Sequence, residues 1–225
     1  MRRRLLVLLI ACLALPALAL AADTDPKRQI NPADQRKAAS IVLKRSDFAA
    51  GWKKVPSTPD TDTDNSCPGY NPDQSDLVLT GEAEADFEAA GGFPTVSSIA
   101  NVYRSRRDAV AAWTRSAKPA LASCLAQVLK REVEKDGAKV AIAKSGAIAF
   151  PKLAPRTVAY RVGFTVTVMR AGETTKIPFT LHVVALGNGR GDCALITFAF
   201  GNGLPAAELR AFAKVTAARL AAAKL

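Results

Sequence analysis

Val158-Ala159-Tyr160-Arg161-Val162-Gly163-Phe164-Thr165-Val166-Thr167-Val168 decides the fold of this chain. Val158, Tyr160, Val162, Phe164, Val166 and Val168 recur at every second position, a spacing that lines one face of a strand and would scatter around a helix. The stretch is therefore a strand with one apolar face. Ala171-Gly172-Glu173 turns it into a second such row over 174–186, with Ile177, Phe179, Leu181 and Val183 on the apolar side. The glycine-rich run 187–192 turns again into a strand over 193–200, and Val140 with Ile142 begins an earlier one. Successive hairpins of this kind imply an antiparallel meander.

Working outward, 77–88 alternates as well, with Leu77, Leu79, Ala83, Ala85 and Phe87 read as one side, and Thr80, Glu82, Glu84, Asp86 and Glu88 as the other. Gly91-Gly92-Phe93-Pro94 turns this strand into a partner over 95–104. Residues 106–135 have helical spacing, and Pro119 predicts a kink or a break near Ala117. Asn31-Pro32-Ala33-Asp34 supplies a cap, a proline at the first helical position and an early acid, which predicts a helix as far as Lys44. A turn over 46–52 buries Phe48 and Trp52, and 55–72 is a polar loop. Pro205 opens a last helix with Leu209, Phe212, Ala213, Thr216 and Leu220 on one face. This order predicts an α+β fold, an antiparallel sheet of about five to six strands with helices packed on it.

The chain begins Met1-Arg2-Arg3-Arg4, continues as an apolar run to Leu20, and leaves it through Ala21-Ala22. That pattern predicts a signal peptide over 1–22, followed by a flexible leader over 23–30 and a single domain over 31–225. The protein is expected to be secreted or extracytoplasmic, with retention of the N-terminal segment as a membrane anchor the alternative. Formal charge is +11, of which Arg2, Arg3 and Arg4 supply three, so the processed chain carries +8. Such an excess favours anionic surfaces. The cations are not clustered with aromatics, and an exported protein rarely meets nucleic acid, so no nucleic-acid partner is expected.

Cys67, Cys124 and Cys193 remain after processing, which allows three pairings of one disulfide. On the strand over 193–200, Ala194, Ile196, Phe198 and Phe200 form the larger apolar row, so Cys193 faces away from it. A helix carrying Cys124 should pack on that row, which puts the sheet between Cys124 and Cys193. Cys67 with Cys124 is the predicted pair, because a bridge needs Cα atoms within about 7 Å. No Cys-x-x-Cys motif or histidine cluster is present, and no metal or cofactor is expected.

Asp47-Phe48-Ala49-Ala50-Gly51-Trp52, the loop cysteine after it, the helix with Cys124 and the closing meander plus helix resemble the extracytoplasmic sensor domain of PknH-type kinases, similar in architecture to the PsbP/Mog1-like sandwich. The resemblance implies a binding module with a cleft and no catalysis. This chain departs from that pattern by having no kinase and only three cysteines in the processed part.

Strand parity places Arg161, Thr165 and Thr167 on the less apolar face of one strand, with Thr180 and His182 on its partner, and Glu82, Glu84 and Asp86 are expected on the same face if their strand joins the same sheet. Together they form a candidate site for a small polar ligand. Cys193 with His182 is the one pair worth weighing as a thiol nucleophile and its base, since His182 is the only histidine. Asp60-x-Asp62-x-Asp64 resembles the start of a calcium loop but has neither the glycine nor the glutamate such a loop needs. Arg190-Gly191-Asp192 falls at an expected hairpin tip, where it would be exposed. The resulting expectation is an exported, monomeric, non-catalytic binding or sensor-like domain acting on an unknown envelope ligand or protein. A secreted hydrolase using Cys193 and His182, and a basic structural envelope protein, are the alternatives.

Overall fold

The computed structural model describes residues 24–57, 67, 69–135, 137–170 and 173–225. In chain order the elements are β1 (Lys27–Arg28), α1 (Pro32–Ile41), β2 (Trp52–Val55), β3 (Val78–Ala89), β4 (Thr95–Tyr103), α2 (Arg106–Ser116), α3 (Ala120–Lys135), β5 (Lys139–Ala147), β6 (Arg156–Arg170), β7 (Glu173–Asn188), β8 (Gly191–Phe200) and α4 (Ala206–Ala222). The expected signal segment and the Asp60, Asp62 and Asp64 triplet lie outside the described residues.

All eight strands join one sheet in the order β1-β3-β4-β8-β7-β6-β5, with β2 also paired to β3. The fold is α+β as expected, but the sheet is larger than five to six strands. It is also mixed, because β1 runs parallel to β3. The two exposed residues of β1 and the four residues of β2, two of them exposed, are too few to carry an alternating pattern. They are strands because β3 offers its outer edge, where the Lys27 and Gln29 amides donate to the Leu77 and Leu79 carbonyls at 2.9 and 2.8 Å. Part of the expected flexible leader is thus paired.

The helices begin and end for local reasons. Asn31 caps α1, its Oδ1 accepting the Asp34 amide at 2.9 Å, and Ser105 caps α2 by accepting the Asp108 amide at 3.0 Å. Helix α1 stops at Ile41, short of Lys44. Val42 turns extended, and the Leu43 amide donates to Ser98 Oγ at 3.1 Å, so Val42 and Leu43 enter the core instead of continuing the helix. The break at Pro119 separates α2 from α3 as predicted.

Each face of the sheet carries its own core. On one face α3 covers β5, β6, β7 and β8, burying Cys124, Leu125 and Leu129 against Tyr160, Val162, Phe164, Phe179, Leu181 and Phe198. Phe164, Phe179 and Phe198 lie with ring centroids 5.0–5.6 Å apart. Cys67 bridges to Cys124 with Cα atoms 5.3 Å apart, as predicted, and ties the polar loop to this core. On the other face α1 and α4 cover β3, β4 and β8, burying Phe87, Val96, Leu195 and Phe212, with Phe48 stacked among Trp52, Phe87 and Phe212 at 4.3–4.8 Å. All five residues predicted for the buried stripe of α4 are buried.

A bulge lets β3 bury apolar residues on both of its faces. Leu79 pairs with Tyr103 and Gly81 with Val102, which leaves Thr80 as the extra residue. Parity flips there. Leu77 and Leu79 pack with Tyr103, Ala109 and Ala112 under α2, whereas Ala83, Ala85 and Phe87 belong to the opposite core, so the single apolar side read over 77–88 is corrected to two. Thr80 Oγ1 donates to Asp34 Oδ2 at 2.7 Å, and Arg190 holds both oxygens of the same carboxylate at 2.5 and 2.7 Å. Gly81 lies so close to α1 that a Cβ would meet the Asp34 carbonyl carbon and oxygen at 2.4 Å.

Candidate functional site

The register turns the predicted face into four cross-strand rows, since directly opposed residues point to the same side. Lys139, Thr167 and Lys176 form one row, and Ala141, Thr165 and Pro178 the next. Lys144, Gly163, Thr180 and Ala199 follow, and then Gly146, Arg161, His182 and Thr197. Arg161, Thr165, Thr167, Thr180 and His182 therefore do share a face, as the sequence indicated.

They do not share an environment. The loop after β8 stands on this face and covers Thr180 and His182. A Cβ on Gly203 would come 2.6 Å from His182 Cε1, which is why that position has no side chain. Thr180 Oγ1 donates to the Gly201 carbonyl at 2.7 Å and accepts from Arg161 Nη2 at 3.4 Å. His182 is 6% exposed and Thr197 0%, and neither His182 Nδ1 nor Thr197 Oγ1 has a hydrogen-bond partner among the described residues. Burial first, and the Arg161 charge second, push the His182 pKa down, so the imidazole is neutral near pH 7. His182 and Thr180 are consequently the floor beneath the loop. Arg161, Thr165 and Thr167 lie beyond it, half-exposed.

Glu82, Glu84 and Asp86 are not on this face. Glu84 opposes Ile99, and Ile99 opposes Ala194 on the side of Ile196 and Phe198, so the three acids face the other way. The bulge at Thr80 does not by itself move them; the link from β3 through β4 to β8 sets their side, and single-strand parity does not contain it. Cys193 and His182 also stay apart. Cys193 opposes Leu186, while His182 opposes Thr197, four residues further along β8 and about 13 Å away at strand rise. Burial raises the Cys193 thiol to about 12, which removes thiolate character.

Arg190-Gly191-Asp192 is not an exposed tip. Arg190 turns inward to Asp34, and its Nη1 also donates to the Tyr103 carbonyl at 2.8 Å. Asp192 lies beside Asn101, Tyr103 and Arg156, and burial pushes its carboxyl up to about 6 against their opposing effect. The Arg156 guanidinium reaches the Gly191 carbonyl at 3.1 Å and sits 5.8 Å over the Trp113 ring.

The sequence reading missed the lysines. Lys139, Lys144 and Lys176 are exposed and share a face with Arg161, and none of the four enters an ion pair among the described residues. Among those residues no carboxylate registers on this face of β5, β6 and β7; Glu173 opposes Arg170 and belongs to the other side. The alternation of Lys139, Val140, Ala141 and Ile142 carried the signal, but only the apolar members were used. Elsewhere a shallow groove of ≈ 370 Å³ lies between Trp52, Pro94, Phe200, Leu204, Pro205 and Glu208. No group of three or more His, Cys, Asp or Glu suited to a metal ion occurs among the described residues. Comparisons with family models, curated proteins and solved structures found no match.

Proposed function

We propose that the chain is an exported, non-catalytic binding or sensor-like domain of the cell envelope, and that the end of the sheet left bare by the helices is its binding face. The observation that carries this reading is the row pattern: four cations and two threonines on paired strands, with no acid on that face among the described residues, beside a face that is otherwise packed shut. Cations held on strands keep their spacing, and a cluster of one sign that enters no ion pair among the described residues favours an anionic partner. The N-terminal leader pattern and the disulfide both suit an oxidising compartment outside the cytoplasm. Separation of Cys193 from His182 counts against the hydrolase alternative, since that pair supplied its only candidate nucleophile and histidine base.

The reading is tested by expressing the full chain in an exporting bacterial host and fractionating the cells. The expected result is a protein that begins near Asp23, carries one disulfide and remains with the envelope until salt is raised. Recovery from the cytosol with Met1 intact and all thiols reduced overturns it.

A further inference from the structure

We propose that the bare face of β5, β6 and β7 is a trough for a linear, phosphate-bearing polymer, contacted by Lys139, Lys144, Arg161 and Lys176 with the Thr165 and Thr167 hydroxyls between them. The inference rests on the binding-domain reading above and specifies its ligand.

Lysines on an edge strand have an ordinary explanation, since they block pairing with other sheets. That accounts for Lys139 and Lys144 on β5. It does not account for Arg161 and Lys176, which lie on the interior strands β6 and β7. The cations thus spread across three strands: Lys139 and Lys176 lie about 10 Å apart on either side of Thr167, Thr165 is about 7 Å further along, and Lys144 and Arg161 follow one and two rows beyond it. Guanidinium, ammonium and hydroxyl groups at such intervals match oxyanions repeated along a chain.

Shape separates a polymer from a bilayer. Arg161 stands at the foot of a step, because its cross-strand neighbour His182 lies under Gly203 and its hydrogen-bond partner Thr180 lies under Gly201. The step is deepened by α4, packed on the same face through Phe212. A planar surface resting on the step reaches the outer lysines and stays clear of Arg161. A flexible chain can lie along its foot and meet all four cations.

The test uses the processed protein and long-chain inorganic polyphosphate as the probe, followed by binding isotherms at several salt concentrations. One variant carries Lys139→Gln, Lys144→Gln, Arg161→Gln and Lys176→Gln. A control variant with the same charge loss carries Lys118→Gln, Lys130→Gln, Arg210→Gln and Lys214→Gln, at exposed positions outside the trough. Polyphosphate should bind, more weakly as salt rises, and the trough variant should lose roughly 30-fold in affinity or more while the control stays within about threefold. Restoring Arg161 alone in the trough variant should recover part of the loss. An equal loss in the control overturns the assignment, because net charge then explains binding. So does binding to vesicles of phosphatidylglycerol and phosphatidylcholine with none to polyphosphate. Envelope retention unaffected by the trough substitutions sinks the trough and leaves the binding-domain reading standing; no retention of the wild-type chain sinks that reading itself.

Discussion

The two ends of the sheet are built from the same kind of strand and end up in opposite states. At the β3, β4 and β8 end, α1 and α4 close the face on which Thr197 is fully buried, while Glu84, Ser97 and Ile99 on the opposite face of β3 and β4 stay half-buried. At the β5, β6 and β7 end, α3 closes one face and nothing among the described helices closes the other. The strands alone do not make this difference, since β7 contributes Leu186 to the closed end and Lys176 to the open one. What differs is the residue on the alternate face: Ala159, Val184 and Leu186 where α4 and the 148–154 segment pack, Thr165, Thr167 and Lys176 where they do not. A single strand thus encodes its own cover by a change of composition partway along.

The largest test of that contrast is removal of the bridge that secures the closed α3 face. Replacing Cys67 and Cys124 together by Ser should cost about 4 kcal/mol for a crosslink spanning 57 positions, measured by urea unfolding of the non-reduced protein. Leu195→Ala, on the closed end, should cost about 3 kcal/mol in the same assay, because Leu195 is fully buried. Asp34→Ala should cost about 2–3 kcal/mol, since it leaves Arg190 and Thr80 without their carboxylate; Arg190 is a quarter exposed, which softens the loss.

The Asp34 and Asp192 carboxyls should respond oppositely to acid. The Arg190 guanidinium holds the Asp34 pKa well below the usual carboxylate range, so its contribution is present above about pH 4 and fades as pH falls through that depressed value. Asp192 is raised to about 6, so the folded protein takes up a proton before the unfolded chain does. Its contribution therefore improves as pH falls from about 7 to 4. Asp192→Asn should stabilise the protein at pH 7 by on the order of 1 kcal/mol and flatten the stability profile between pH 4 and 7. At the bottom of the scale, Thr167→Ala and Lys139→Ala on the open end should change stability by less than about 0.5 kcal/mol, as expected where no packing is lost. A destabilisation there comparable to Leu195→Ala would erase the distinction between the ends.

Most of the secondary structure was legible because its signals are local. Asn31-Pro32, the break at Pro119 and the alternation over 158–168 each specify an element without reference to the rest of the chain. The disulfide was legible because parity of a single strand separates Cys193 from Cys124. Less could be read where the answer depends on a second element. Helix α1 ends early because Ser98, on a different strand, takes the Leu43 amide. β1 and β2 exist because β3 has a free edge. The sides of Leu79 and Leu77 depend on an extra residue at Thr80, and those of Glu82, Glu84 and Asp86 on a register passed through β4. Of the candidate site, the shared face of Arg161, Thr165, Thr167, Thr180 and His182 was readable. Covering of the last two by the Gly201 to Gly203 loop was not, since nothing in β7 announces which loop will fold over it.

The bulge at Thr80 also sets how this chain tolerates changes of length. Removing that one codon would interrupt the period-two row of Leu77, Leu79, Ala83, Ala85 and Phe87, an untidier sequence. It would nonetheless leave Leu79 opposite Tyr103 and Gly81 opposite Val102 in an unbroken ladder, with each apolar residue on the side it already occupies, and would erase only the hydroxyl that meets Asp34. Single-residue deletions should therefore be better tolerated at this position than at Ala83 or Glu84, where each would reverse the side of one flank of β3.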